Sequence, residues 1–164
     1  MNQMLQNKLF EKYPEIFVQK DEDPARTAMC WGISCGDGWY NILDNLCFLI
    51  QRHHDYPRDE LERYHKYLEM SIEKNEEENI EFWRNKIEET KQLIENRPQT
   101  HAVQVKEKFG TLRFYVDNVD LEIGAYVSFA ENMSGCTCEK CGSPATQNNS
   151  GWIRTECAKC KGEI

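Results

Sequence analysis

Apolar residues recur at intervals of three and four over much of the first two thirds of the chain, which predicts amphipathic helices. The first lies within residues 1–13, and Pro14 ends it. A second is predicted over 38–53, on the apolar-face positions Trp39, Ile42, Leu43, Leu46, Leu49, Ile50 and His53. Asp37 precedes it and is predicted to be its N-cap, because a carboxylate accepts hydrogen bonds from the unpaired N–H groups of a first turn.

Residues 57–97 form an acidic segment that is also predicted to be helical. Pro57 is predicted to begin a helix, since proline is tolerated in a first turn. Between the apolar positions of the two halves, residues 73–79 contain no apolar side chain, so that either one long helix crosses this stretch or the chain turns there. Two asparagines and three consecutive glutamates favour the turn, and hence a helical hairpin. Arg97 and Pro98 end the helical region.

The period changes to two after residue 101. Apolar and polar residues alternate in 102–108 and again in 111–117, with Gly110 between them, which predicts an antiparallel β-hairpin over 102–117. Residues 119–133 favour a short helix. The fold class predicted is therefore α+β, a mostly helical body over 1–133 with one β-hairpin, followed by a separate C-terminal module at 134–164.

Two CxxC pairs identify that module as a zinc ribbon. Cys138, Cys141, Cys157 and Cys160 match the spacing of a structural zinc site. Four cysteine ligands complete the tetrahedron of one structural Zn²⁺ and leave no position for water. Gly142 and Gly162 are expected at positive φ, 148–151 as a turn and 152–155 as the returning strand, with compensating charge from Lys140, Lys159 and Lys161. A thiol or redox pair is the alternative interpretation.

The remaining cysteines give no comparable pattern. Cys47 is expected to pack as a small apolar residue, and Cys136 either competes with Cys138 as a ligand or is a spare thiol. Cys30, Cys35, Cys47, His53 and His54 show no pairing at metal-ligand spacing. A cysteine nucleophile with His53 or His101 would require that the two groups meet in space, which spacing cannot show.

The net charge of the chain narrows the classes of partner that the protein is expected to bind. The chain of 164 residues has a formal charge of −8, with 13 acidic and 8 basic residues over 55–97, whereas 103–117 has a net charge of +1. A protein that coats duplex nucleic acid usually carries a basic face, so this role is disfavoured while a local anion site is allowed. The longest apolar run, Leu46–Ile50, is too short for a membrane span, and no signal sequence is evident. Because four of the eight cysteines form two metal-ligand pairs and no signal is evident, we expect a reducing cytoplasm.

Cationic and aromatic residues on the hairpin and the ribbon suggest a ligand site. Alternation places Lys106 and Lys108 on one face of the first strand and Arg113 and Tyr115 on one face of the second. If these faces coincide, they can bind a phosphate or a nucleotide base. The alternative is a solvated sheet face with ordinary cross-strand pairs. The full candidate set is Asp37, Trp39, Lys106, Lys108, Arg113, Tyr115, Trp152 and Arg154.

The segments CGDGWYNILDNLC, VKEKFGTLRFY, AENMSGCTCEKCGSPA and GWIRTEC together resemble a family of small bacteriophage and prophage proteins, over residues 28–160. The resemblance implies action in an infected bacterium's cytoplasm, by binding and in some cases against host defence; it supplies no catalytic residues. Our leading hypothesis is a non-enzymatic phage-type zinc protein that binds a host protein or an anionic, nucleotide-like ligand. A nucleic-acid-binding or transcription-linked zinc ribbon is the second hypothesis, and a cysteine-dependent enzyme the third.

Overall fold

A computed structural model describes residues 1–148 and 151–162 of the chain. Two compact units are present, one formed by Met1–Ile50 with Thr100–Ile164 and the other by Gln51–Gln99. The predicted class is confirmed: the protein is a mostly helical α+β structure with a β-hairpin and a C-terminal four-cysteine cluster. The boundary expected at 133/134 stays a prediction. Within the described residues, every helix is either too short or too polar to cross a membrane.

Three helices of ten or more residues contribute to the first unit. Helix α1 is Gln3–Lys12, with Asn2 as its N-cap; α2 is Tyr40–Glu73, which continues into the second unit; and α4 is Leu121–Ser134, capped by Asp120. The prediction that Asp37 caps a helix from residue 38 is wrong. Asp37–Trp39 form a 3₁₀ turn ahead of α2, and the Asp37 carboxylate instead accepts hydrogen bonds from the backbone and side-chain nitrogens of Asn2, both at 2.7 Å.

This unit also contains a three-stranded sheet, in the order β1-β2-β3. The strands are β1 Ile33–Ser34, β2 Ala102–Lys108 and β3 Thr111–Val116; β1 is parallel to β2, and β2 is antiparallel to β3. Phe109 and Gly110 connect the last two with φ values of 55° and 74°. Two consecutive positive φ angles are those of the type I′ turn that suits a tight hairpin, so the hairpin predicted around Gly110 is confirmed.

The core lies between the sheet and the helices of the first unit. Alternation along β2 and β3 turns Val105, Leu112 and Phe114 inward, and the first part of α2 supplies an apolar face with the expected period. The largest fully buried side chains are Trp39, Phe17, Phe114, Leu9, Ile16, Met29, Leu43, Leu46, Ile50, Leu112, Ile123 and Val105.

Helix α4 covers the outer edge of β3. The backbone N–H of Leu112 donates to the Ser134 hydroxyl at 2.7 Å, and that of Phe114 donates to the Glu131 carboxylate at 3.0 Å. Buried backbone donors need partners, and on an edge strand no neighbouring strand supplies them. Side chains of α4 therefore accept the hydrogen bonds that a further strand would otherwise accept from β3.

The second unit is a helical hairpin made of the later part of α2 and of α3, Glu77–Glu95. The chain reverses at Lys74–Glu76, where Asn75 has φ 53°, so the favoured interpretation of 73–79 is confirmed. The prediction that Pro57 begins a helix is wrong, because Pro57 lies inside α2. Proline cannot donate to the carbonyl four residues earlier, that of His53. The Arg97 guanidinium donates to this carbonyl at 3.3 Å, which offsets the missing bond.

Candidate metal centre and ligand cleft

The four predicted ligands meet at one point. The sulfur atoms of Cys138, Cys141, Cys157 and Cys160 all lie within 4.8 Å of one another, and those of Cys141 and Cys157 are 3.6 Å apart. Zinc–sulfur bonds of about 2.3 Å in a tetrahedron require sulfurs roughly 3.8 Å apart. The cluster therefore needs only a small contraction to hold a metal ion such as zinc. Among the described residues, no other group of three or more His, Cys, Asp or Glu side chains has such an arrangement.

Backbone hydrogen bonds shape the first knuckle, Cys138–Cys141. The Gly142 N–H donates to the Cys138 carbonyl at 2.8 Å, and the Cys138 N–H donates to the Ser143 carbonyl at 2.7 Å. Gly142 has φ 78°, as predicted from its position after the knuckle. Cys138 is completely buried. The first knuckle is therefore a tight turn inside the fold.

The thiols of the cluster have shifted pKa values. Hydrogen bonding with Ser143 lowers the pKa of Cys141 to about 6, whereas hydrogen bonds with Cys141 and Cys157 raise the pKa of Cys160 to about 12. The Cys141 thiolate therefore forms readily, whereas formation of the Cys160 thiolate is opposed. A divalent cation supplies the positive charge that allows all four to ionise together.

The second knuckle, Cys157–Cys160, lies on a short helix, α5 Ala158–Lys161, which ends at Gly162 with φ 79°. Two short strands lead to it: β4 Thr146–Gln147 pairs with β5 Thr155–Glu156. The returning strand thus begins three residues later than predicted. Hydrogen bonds close a wider loop instead, because the Arg154 N–H donates to the Asn148 side chain at 2.6 Å and the Asn148 N–H donates to the Arg154 carbonyl at 3.0 Å. Residues 149 and 150 of the predicted turn lie outside the described residues.

Of the lysines expected to balance the cluster, Lys140 is the best placed. Its ammonium lies 3.3 Å from the Cys160 carbonyl and 3.1 Å from the Glu156 carboxylate. Its charge is therefore shared between the knuckle and a neighbouring acid. Lys159 and Lys161 lie in the last turn of α5.

Gly36 and Gly38, the two glycines that flank Asp37, contact the first knuckle. The Gly38 N–H donates to the Glu139 carbonyl at 2.7 Å, and a Cβ atom on Gly38 would lie 2.1 Å from the Cys138 carbonyl oxygen. A Cβ on Gly36 would lie 2.3 Å from the Glu139 carbonyl oxygen. No side chain fits at either position. The backbone of the motif GDG therefore packs directly against the first knuckle, and we call this contact surface the seat of the knuckle. Its signal in the sequence was the pair of glycines flanking Asp37.

Trp39 belongs to the same seat and not to a ligand surface. Its side chain is completely buried, and its indole N–H donates to the Thr137 carbonyl at 2.8 Å, just before the first knuckle. A buried ring cannot stack on a ligand. Asp37, bonded to Asn2, likewise has its carboxylate oxygens engaged.

The cations of the β-hairpin do share one face. Lys106 pairs with Arg113 across the strands, and the Lys106 ammonium lies 5.4 Å from the centre of the Tyr115 ring. Arg113, however, is turned away into internal bonds: its guanidinium donates to the Thr111 hydroxyl and the Leu112 carbonyl, both at 2.7 Å, and lies 3.6 Å from Glu131. The face therefore offers the two lysines and one ring.

A cleft of about 470 Å³ lies between this hairpin and the loop of the ribbon. Phe109 and Trp152 are strongly exposed, at 66% and 74%. Arg154 is not among the lining residues, and its guanidinium lies 3.8 Å from Glu156. Of the eight candidates, the structure thus brings Lys106, Lys108 and Trp152 to one cleft and Tyr115 beside Lys106. The cleft is lined by Lys106, Glu107, Lys108, Phe109, Gly151, Trp152 and Ile153.

The other cysteines lie outside the cluster. Cys35 and Cys47 are buried, and burial raises the pKa of both thiols, that of Cys35 to about 12. Cys136 is exposed, and its thiol donates to the Met133 carbonyl at 3.2 Å; Cys30 makes the same kind of bond to Thr27. Cys138, not Cys136, is therefore the member of the four-cysteine group.

No protein-family model, curated protein or solved structure matches this chain. The phage family indicated by the sequence segments stays a prediction.

Proposed function

We propose that this is a non-enzymatic, phage-type zinc protein that engages an anionic, nucleotide-like ligand in the cleft between the β-hairpin and the ribbon. The observation that supports it is the cleft itself, which combines two lysines with two exposed aromatic rings. The resemblance supports the phage type and an infected host's cytoplasm as the place of action.

The metal in this proposal is one structural Zn²⁺. Thiolate is the donor that zinc prefers for closed structural sites, and four of them leave no open coordination position. The metal would hold the two knuckles together and thereby fix the loop that carries Trp152. The metal would stabilise the folded ribbon and would take no part in a reaction on a ligand.

The chemistry of the cleft suits a phosphate joined to a flat ring. Lysine ammonium groups bind phosphate oxygens as point charges. Stacking of a base on an aromatic side chain contributes roughly 1–3 kcal/mol. Glu107 has its carboxylate on the Gly110 N–H at 2.6 Å, which keeps one acceptor oxygen occupied within the turn. With Lys106 and Lys108 against Glu107, the lining of the cleft carries a net positive charge.

The test is binding of ATP, ADP, adenosine and inorganic phosphate to the zinc-loaded full chain, by thermal shift and by calorimetry. We expect both nucleotides to raise Tm and adenosine to do so less, because binding to the native state stabilises it. Trp152→Ala and Lys108→Ala should each weaken nucleotide binding about tenfold, as expected for loss of roughly 1.4 kcal/mol. The matched controls are Trp31→Ala and Lys66→Ala, exposed residues outside the cleft. No response to any nucleotide, or equal weakening by the controls, contradicts the proposal.

A second candidate uses the same cleft for single-stranded nucleic acid. Exposed Phe109 and Trp152 flank lysines in the pattern that stacks successive bases without reading sequence. This hypothesis expects tighter binding of oligonucleotides than of nucleotides, a strong salt dependence and weakening by Lys108→Ala. No oligonucleotide binding at low salt would exclude it. The third hypothesis, a cysteine enzyme, would require a thiol other than Cys35 or Cys47, because their raised pKa opposes thiolate formation.

A further inference from the structure

The two walls of the cleft belong to different elements of the first unit. Residues 106–109 of the β-hairpin form one wall, and residues 151–153, in the loop between β4 and β5, form the other. Cys157 of the four-cysteine cluster follows five residues after Trp152. The geometry of the cleft therefore depends on what holds this loop against the hairpin.

Three contacts join the turn of the hairpin to the ribbon. The Thr155 hydroxyl donates to the Gly110 carbonyl at 2.5 Å, and the Gln147 side-chain amide donates to the Phe109 carbonyl at 3.2 Å. Gly110 also packs against Ile153, because a Cβ atom on Gly110 would lie 3.0 Å from the Ile153 side chain. Both strands of the ribbon, β4 and β5, therefore bond to the turn, on either side of the loop that lines the cleft. We call this arrangement the docked ribbon.

Thr155 connects the docked ribbon to the cysteine cluster as well. Its carbonyl accepts a hydrogen bond from the Glu139 N–H at 2.9 Å, inside the first knuckle, and Thr155 is completely buried. Cys157 begins the second knuckle directly after β5. The docked position of β5 thus brings the second knuckle to the first, and it also holds Trp152 and Ile153 beside the hairpin.

We propose that zinc and the cleft ligand are coupled through the docked ribbon, so that each raises the affinity of the protein for the other. This inference rests on the proposed function, because it concerns the regulation of the same cleft. Four cysteines can share one ion only when β5 brings Cys157 and Cys160 to the first knuckle, and a ligand can contact both walls only when the loop lies beside the hairpin. Two ligands that require the same state of a protein stabilise it together, and the coupling between them is reciprocal.

The first measurement is the affinity of the full chain for zinc, by competition with a chelator of known strength, with and without ADP. We expect saturating ADP to tighten zinc binding about tenfold, and removal of zinc to weaken ADP binding by the same factor in calorimetry. ADP in solution also binds zinc, which lowers the apparent affinity of the protein and so has the opposite sign. Trp152→Ala, which weakens ADP binding to the cleft, measures this background.

The outcomes separate the coupling from the proposed function. Equal ADP affinity with and without zinc would overturn the coupling and leave the proposed function standing. Absence of ADP binding in both states would remove the proposed function and the coupling with it.

A substitution at Thr155 tests the route, because this residue neither lines the cleft nor belongs to the four cysteines. Thr155→Val removes the bond to the Gly110 carbonyl and should weaken zinc binding about fivefold. It should also weaken ADP binding to the zinc-free protein, whereas saturating zinc should restore ADP affinity to the wild-type value.

Thr100→Val is the matched control, since Thr100 is equally buried and its hydroxyl donates to the Asn118 carbonyl at 2.9 Å. It should change neither affinity. Equal effects of the two valine variants would mean a general loss of stability and would overturn the proposal. If Thr155→Val does not fold, Gln147→Ala, at an exposed position of the docked ribbon, decides in the same way.

Discussion

The two CxxC knuckles supply the same donors at the same spacing, yet their surroundings differ. The first is seated on Gly36 and Gly38, and its Cys138 is completely buried. The second lies on the short helix α5, with Cys157 and Cys160 partly exposed. Gly142 and Gly162 show the contrast most simply, because their φ angles are 78° and 79°. A Cβ on Gly142 would lie 3.1 Å from the Gly38 carbonyl oxygen, whereas one on Gly162 would meet no described atom within 4 Å.

The difference shows that the fold by itself can hold one of the two knuckles of a metal site in place. Hydrogen bonds from Gly38 and Trp39 hold the first knuckle whether or not a cation is bound. For the second knuckle, the hydrogen bond from Thr155 to the Gly110 carbonyl at 2.5 Å anchors the strand before it. Beyond that strand, a cation bound by the four cysteines would be the main constraint. We therefore expect the two knuckles to respond unequally to loss of metal.

Removal of the metal should have the largest effect. Structural zinc contributes roughly 10–16 kcal/mol in isolated finger peptides, so a strong chelator should disorder residues 157–162. Residues 138–142 should keep part of their protection through the Gly38 and Glu139 backbone bond. Hydrogen exchange followed by mass spectrometry measures both, with readdition of zinc as the control. Equal loss of protection in the two knuckles would refute the contrast.

The substitution Gly38→Ala should have the second largest effect. The new Cβ would overlap the Cys138 carbonyl oxygen and backbone nitrogens of Cys141 and Gly142, and we expect a loss of about 3 kcal/mol in the free energy of unfolding. Denaturant unfolding of the zinc-loaded chain measures it.

Gly124→Ala is the matched control for that substitution. Its Cβ would lie 3.8 Å from the nearest atom, in Val119, and alanine favours a helix by roughly 0.8–1.0 kcal/mol over glycine. Stability should therefore be unchanged or increased. If Gly38→Ala proved as mild as this control, the seat would not be the rigid element that we describe.

The smallest effect is the difference between Gly142→Ala and Gly162→Ala. Both place alanine in the left-handed region, which costs roughly 1–2 kcal/mol. Gly142→Ala also crowds the Gly38 carbonyl, so its loss of unfolding free energy should be larger by about 1 kcal/mol. Parallel denaturation curves give the comparison. A larger loss for Gly162→Ala would invert our assignment of the seated knuckle.

The sequence was most informative where one physical rule acted alone. The ligand spacing, the turn at Gly110 and the helical period each predicted their element, because metal geometry, positive φ and burial of one face are local rules. Asp37, Trp39 and Pro57 were misinterpreted for the opposite reason. Their partners, Asn2, Thr137 and the compensating Arg97, lie 35, 98 and 40 positions away, and a single sequence does not show such contacts.

The cleft was predictable only in part. Alternation correctly suggested that the cations of the two strands share a face, and the register confirms it. It could not show that Arg113 would turn to Glu131, or that Phe109 would join Trp152 in lining the cleft. The direction of each side chain depends on the neighbouring element, which is α4 for Arg113 and the ribbon for Phe109.

Because α4 covers the outer edge of β3, it also limits whether a further strand can join the sheet there. A bare edge accepts a strand from another molecule, which leads to β-augmentation or to aggregates. With Ser134 and Glu131 already holding the N–H groups of Leu112 and Phe114, a strand from another molecule would first have to displace the helix. Growth of the sheet by strand addition is thereby opposed along the outer edge of β3.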